Sequence, residues 1–253
     1  MEVHHHPDLQ HKKKNFKEYF LEFLMIFLAV TMGFIAENIR ESISEHQRAK
    51  SFASSMIQDL KTDTSQLNSF IRYYSYAENN IDTFMNLLSR NDPSNIPSGK
   101  LYWYGLFGGA SGNFISNDAT FEQMKSSGSI SFFKPKLATE VAKYDQLCRQ
   151  MQVSDETGRD IYSEVRKIRA MIFEFKYNDI ANQIFQKNEI PFRQARIDSF
   201  IATNPPLLSY DKILFNEYAE LVRSRFIEGD VALAKKLHTQ ADVLLAELIK
   251  EYY

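Results

Sequence analysis

The chain has 253 residues, 44% hydrophobic and 25% charged, enough to bury a core in one large domain or two small ones. Its 30 basic and 32 acidic residues nearly cancel, which excludes a global field that would recruit nucleic acid. The single cysteine, Cys148, excludes an intramolecular disulfide, and without paired cysteines no zinc signature is present.

Residues 1–18 read as a basic tail, with Lys12, Lys13, Lys14 and Lys17 ahead of the first apolar run. His4, His5 and His6 are adjacent there, and three adjacent histidines cannot hold a defined coordination geometry without further ligands, so no metal site is assigned to them. Residues 19–36, YFLEFLMIFLAVTMGFIA, carry one charge, Glu22. As a helix they span roughly 27 Å, just enough for a bilayer core. No Ala-x-Ala pattern occurs in Gly33-Phe34-Ile35-Ala36-Glu37-Asn38, so the segment reads as an uncleaved transmembrane anchor rather than a signal peptide. The four lysines before it outnumber Arg40, Arg48 and Lys50 after it, and the latter are interleaved with Glu37, Glu41 and Glu45. This bias places the N-terminus in the cytoplasm and residues 37–253 in the periplasm, across a bacterial inner membrane. Glu22 has two readings: an intramembrane relay in an ion-driven complex, or an interfacial carboxylate one turn inside the boundary, within reach of water or Lys17.

No proline or glycine falls between Phe34 and Asp92, so nothing local stops the helix. Along it runs a stripe at spacings of three and four: Ile39, Ser42, His46, Ala49, Ala53, Met56, Leu60, Asp63, Leu67, Phe70, Tyr74, Ala77, Ile81, Phe84 and Leu88. All but Ser42, His46 and Asp63 are apolar or aromatic, the pattern of helix packed on helix, either within the chain or between copies. Aromatics at Phe70, Tyr74 and Phe84 favour a bundle over a two-stranded coil.

Six of the nine glycines and three of the seven prolines lie between Pro93 and Pro135, which predicts an irregular, glycine-rich insertion over residues 92–135. The run from Leu101 to Gly112 holds Tyr102, Trp103 and Tyr104, candidates for a ligand pocket or partner contact, or else for a loop packed on the bundle. Gly112 is followed by Asn113 and Phe114 rather than by Lys-Ser/Thr, so the run is no phosphate loop. From Asn117 to Gly128 a short helix is expected, capped by Asn117 or Asp118, with Phe121 and Met124 on one face, Lys125 near its end and Gly128 as a left-handed stop.

After Pro135 a second long pattern opens with Leu137, Val141, Tyr144, Cys148 and Met151. Ile161, Val165, Ile168, Ile172 and Phe175 continue it past an expected irregularity at Ser154–Gly158, and Pro191 ends or bends the helix that reaches Asn188. A third helix is expected from Ser209 to Ile227 with Ile213, Leu214, Tyr218, Leu221 and Val222 inward, and Gly229-Asp230 separates it from a fourth carrying Ala234, Leu237, Ala241, Leu244, Leu248 and Tyr252. The fold class is therefore all-α: a transmembrane helix continuing into a long helix, an antiparallel helical bundle and a glycine-rich loop insertion.

Two stretches, Phe16–Val30 leading through Gly33 to Glu37-Asn38-Ile39-Arg40-Glu41, and Asp118–Gly128, resemble an uncharacterised family of bacterial single-pass, membrane-anchored helical proteins. The resemblance covers roughly a sixth of the chain and implies the topology; it carries no activity or site residues.

No His-Glu-x-x-His, Gly-x-Ser-x-Gly or dinucleotide fingerprint occurs, and His11, His46 and His238 stand apart. No catalytic, cofactor-binding or metal-ligating residue is assigned. The expected partners are the lipid bilayer and a second copy or another envelope protein. The expected role is an interaction or scaffold protein, with a ligand-sensing module and an ion-driven subunit using Glu22 as alternatives.

Overall fold

The structure is a computed structural model that describes residues 15–109, 113–187, 190–227 and 230–253. The histidine and lysine cluster of residues 4–14, and residues 110–112, 188–189 and 228–229, lie outside the described residues. Every regular element among the described residues is helical. Eight α-helices follow in order: α1 Phe16–Arg90, α2 Ser98–Gly105, α3 Ala119–Ser126, α4 Pro135–Ile172, α5 Phe175–Lys187, α6 Ile190–Ala202, α7 Lys212–Ile227 and α8 Asp230–Tyr252. Short 3-10 segments occupy Pro93–Asn95, Leu106–Gly109 and Ser129–Phe132.

The chain divides into a unit ending at Ser51 and a unit running Phe52–Tyr253. In the first, α1 opens at Asn15, whose carbonyl accepts from the Glu18 amide at 2.8 Å while the Glu18 carboxylate accepts from the Asn15 amide at 3.2 Å. That reciprocal pairing satisfies free donors at the helix start. The segment that follows is apolar and bare: Phe23, Met25, Ile26, Met32 and Phe34 are each more than 60% exposed. Thr31 donates its hydroxyl to the Phe27 carbonyl at 2.7 Å, so that group is paired within the helix. Ile39, Ser42 and His46, the first three stripe positions, are exposed as well.

In the second unit the stripe is buried. Ala53, Met56, Leu60, Asp63, Leu67, Phe70, Tyr74, Ala77, Ile81 and Phe84 all face inward, and they pack within the chain. Leu67, Phe70 and Tyr74 meet Met151 of α4 and Val231, Ala234 and Leu237 of α8. Further along, Ala77, Ile81 and Phe84 meet residues of α2, α4, α6 and α7 in a cluster rich in aromatic rings. Phe84 and Phe173 both set their rings edge-on to Tyr218, at 5.6 and 5.9 Å, the geometry in which ring edge and ring face attract.

α4 runs unbroken through Ser154–Gly158, because Ser154 donates to Asp230 at 2.5 Å and nothing crowds or fills the space beside Gly158. It ends at Ile172; Phe175 belongs to α5 and is 81% exposed, so it does not continue the α4 stripe. α7 begins at Lys212 rather than Ser209, and Ile213 points outward while Phe215, Tyr218 and Val222 fill the core. Pro191 lies in the first turn of α6, where a missing amide costs little. In α8, all six expected positions are buried, joined by Val231.

Within residues 92–135 the expected short helix is α3, and the described remainder, expected to be irregular, also holds α2 and three 3-10 turns. Gly99 and Gly108 serve close approach. A Cβ on Gly99 would stand 2.1 Å from the Ile201 carbonyl oxygen of α6, and one on Gly108 would stand 2.4 Å from the Tyr218 hydroxyl. At α3, Gly128 takes the left-handed conformation (φ 70°), as expected of a stop. The N-terminal cap differs: Asp118 makes no capping hydrogen bond, and Asn117 is a donor to Asp63 instead.

Candidate functional site

Four features carry chemistry. The first is the apolar start of α1. One helix among the described residues is long and apolar enough to cross a membrane, with a window of mean hydropathy 2.1, none of it buried by protein. Glu22 sits on this segment, about one helical turn in from its start at Tyr19, and is exposed.

The second is the aromatic run. Tyr102 and Trp103 are 0% and 2% exposed and Tyr104 is half-buried, so the first two belong to the core and line neither of the two clefts described below. Tyr102 is a tie: its hydroxyl donates to the Pro206 carbonyl at 2.8 Å and accepts from the Glu174 amide at 3.0 Å, joining α2 to the chain after α4 and to the turn after α6. Burial raises the Tyr102 phenol above its ordinary value. Trp103 packs edge-on to Phe107 at 5.9 Å.

The third is a buried polar network around Asp63. Its Oδ1 accepts from the Asn117 amide at 2.9 Å and from Asn117 Nδ2 at 2.6 Å, and its Oδ2 accepts from the Tyr144 hydroxyl at 2.6 Å. Nearby, Thr120 donates to Asp59 at 2.5 Å. These bonds fasten α1 to α4 and to the start of α3, which explains why a carboxylate interrupts the apolar stripe. Burial pushes the Tyr144 phenol upward and the Cys148 thiol up to about 11. A thiol so held is protonated at neutral pH and a poor nucleophile.

The fourth is a cleft of about 580 Å³ formed by α4, α5 and the 3-10 turn Leu106–Gly109. Its polar wall includes Arg166 and Arg169, one turn apart on α4, with Asn178, Asp179 and Asn182 of α5; its apolar wall includes Phe107, Phe173 and Phe185. Arg166 lies over the Tyr162 ring at 5.4 Å. Gly109 makes room for Arg169, since a Cβ there would stand 3.0 Å from its Nη1. Among the described residues, Arg169 Nε and Asn178 Oδ1 are buried without a hydrogen-bond partner. Sequence reasoning passed over these residues: Arg166-Lys167-Ile168-Arg169 reads as the solvated face of a helix, and only the packing of residues 106–109 and α5 encloses it.

A second cleft, of about 680 Å³ beside α1 and α7, mixes Glu78, Asp82 and Glu220 with Lys212 and Arg223. Burial and the neighbouring Asp82 charge raise the Glu78 carboxyl. Among the described residues, no group of three or more His, Cys, Asp or Glu side chains is placed to hold a metal. Comparison with protein-family models, with curated proteins and with solved structures found no match, so function is argued from the chain's own residues.

Proposed function

We propose that the chain is a single-pass, membrane-anchored interaction or scaffold protein of the bacterial envelope. Residues 19–36 lie in lipid, the basic tail is cytoplasmic, and the helical domain stands in the periplasm as a bundle that engages a second copy or another envelope protein. The observation that supports this reading is a contrast within one helix. From Ala53 to Phe84 the apolar stripe of α1 is covered by the rest of the chain, whereas Phe20–Ile35 exposes large apolar side chains on every face. At ~25 cal/mol per Å² of apolar surface, leaving that segment in water is untenable, and lipid is the cover that fits a helix whose one charge, Glu22, lies near its start. The lysine bias ahead of the segment supports the orientation.

Protease added to spheroplasts tests the topology: the domain beyond residue 37 is digested in intact cells, and its protection until lysis overturns the orientation. Crosslinking in native membranes tests the role. A chain that remains monomeric and crosslinks to no envelope protein refutes the scaffold.

A further inference from the structure

We propose that the cleft between α4, α5 and the turn Leu106–Gly109 is a binding site for a small organic carboxylate that carries a hydrogen-bond donor and an aromatic or apolar body. The proposal stands apart from the membrane reading, since the cleft lies wholly within the unit Phe52–Tyr253.

The cleft is of ligand size, as sites of roughly 300–1,000 Å³ take drug-sized molecules. Its lining carries two guanidinium groups against one carboxylate, Asp179, whose Oδ2 already accepts from Gln183 Nε2 at 2.6 Å. The surplus of one positive charge selects a monoanion. Arg169 has no acidic partner within ion-pair distance among the described residues, and its Nε is buried with its donor unused. A guanidinium in that state lacks one thing, a planar acceptor that it can grip with two parallel N–H groups, and a carboxylate has that shape.

Asn178 supplies the second requirement. Its buried side-chain oxygen accepts from no described residue, so the occupant presents an N–H or O–H beside its anion. Phe175 and Leu208, 81% and 60% exposed, form with the half-buried Phe185 the apolar wall against which a ring or chain would lie. Water can satisfy either orphaned atom alone, but it leaves the exposed Phe175 and Leu208 side chains uncovered, which an apolar body would bury.

Isothermal titration of the full chain in detergent tests the site with two probes that meet every requirement, N-acetylphenylalanine and phenyllactate. N-acetylphenethylamine, which lacks the carboxylate, and inorganic phosphate, which lacks the ring, are the comparators. At least one of the two carboxylates binds saturably and the comparators do not. Arg169→Lys weakens the binding by about tenfold to a hundredfold, the loss expected of a charged bidentate contact. Arg166 is exposed, so Arg166→Ala weakens binding in a protein whose helical circular dichroism and melting temperature are unchanged. Failure of both carboxylates to bind overturns the proposal, as does equal binding of either comparator or unchanged affinity in both arginine variants.

Discussion

Replacing Gly99 with alanine probes the close contact between α2 and α6. The new Cβ would fall 2.1 Å from the Ile201 carbonyl oxygen and 2.8 Å from the Ile201 Cα, both backbone atoms that no rotamer change can move. Ordinary contact begins near 3.4 Å, so α2 and α6 must separate by more than an ångström. That shift strains the Gly99 amide bond to Asn204 Oδ1 (3.3 Å) and the two bonds of the Tyr102 hydroxyl. Overpacking costs about 1–3 kcal/mol and each strained bond about 1 kcal/mol, while alanine's better helix propensity returns about 1 kcal/mol. The net loss is roughly 3–5 kcal/mol, a fall of about 6–20 °C in melting temperature for a domain of this size. Gly158→Ala is the opposite case. It lies inside α4 with nothing within 4 Å of the built Cβ, so it stabilises by about 1 kcal/mol, or about 2–4 °C. Thermal unfolding of the full chain in detergent, followed by circular dichroism and by the fluorescence of the sole tryptophan, Trp103, measures both. A Gly99→Ala protein that melts at or above the wild-type temperature refutes the close-approach reading of the glycine-rich run.

Asp63→Ala strips the acceptor from Asn117 and Tyr144 and destabilises by about 3–5 kcal/mol in urea unfolding, with Asp63→Asn costing less because one amide oxygen still accepts; equal losses would show that acceptance is not the role of this side chain. Cys148, held at about 11 mainly by burial, is a thiolate in only about one molecule in a thousand at pH 8, so maleimide labels it roughly two orders of magnitude more slowly than a free thiol until the protein unfolds. Its raised folded value also means that the unfolded thiol ionises first: the stability it contributes is whole below about pH 8.5 and is lost as the pH climbs toward 11. Rapid labelling at pH 8, or stability that rises over that alkaline window, contradicts the assignment. Leu28→Arg with Val30→Arg puts two charges near the middle of residues 19–36, each costing about 2.5–3.5 kcal/mol on insertion, and shifts the protein from carbonate-washed membranes to the soluble or aggregated fraction. Retention in the membrane would place the anchor elsewhere.

How far the fold is legible depends on whether a residue's role is set by its neighbours along the helix or by something far off in sequence. The α8 stripe is legible position by position, because Ala234 through Tyr252 sit on one face at spacings that a helix fixes by itself. The same holds for α1 from Ala53 to Phe84. Where local spacing admits two phases it misleads: in Lys212-Ile213-Leu214-Phe215, Ile213 and Phe215 compete for the inward face, and the larger ring wins beside Phe84 and Phe173. Glycine is ambiguous in another way, since a turn and a close helix contact both require it, and only Ile201, about a hundred residues on, shows which requirement Gly99 meets. Asp63 is visible in sequence only as an interruption, since its partners Asn117 and Tyr144 lie 54 and 81 residues away. Arg169 is the furthest from view. Its helical position is that of any solvated arginine, and what distinguishes it, a buried Nε with nothing to bond, is created by Gly109 and α5 closing over a helix face that composition marks as wet. The residues that carry the candidate chemistry are thus those whose local pattern is least remarkable, because an enclosed charge is a property of the assembled helices and not of the helix that bears it.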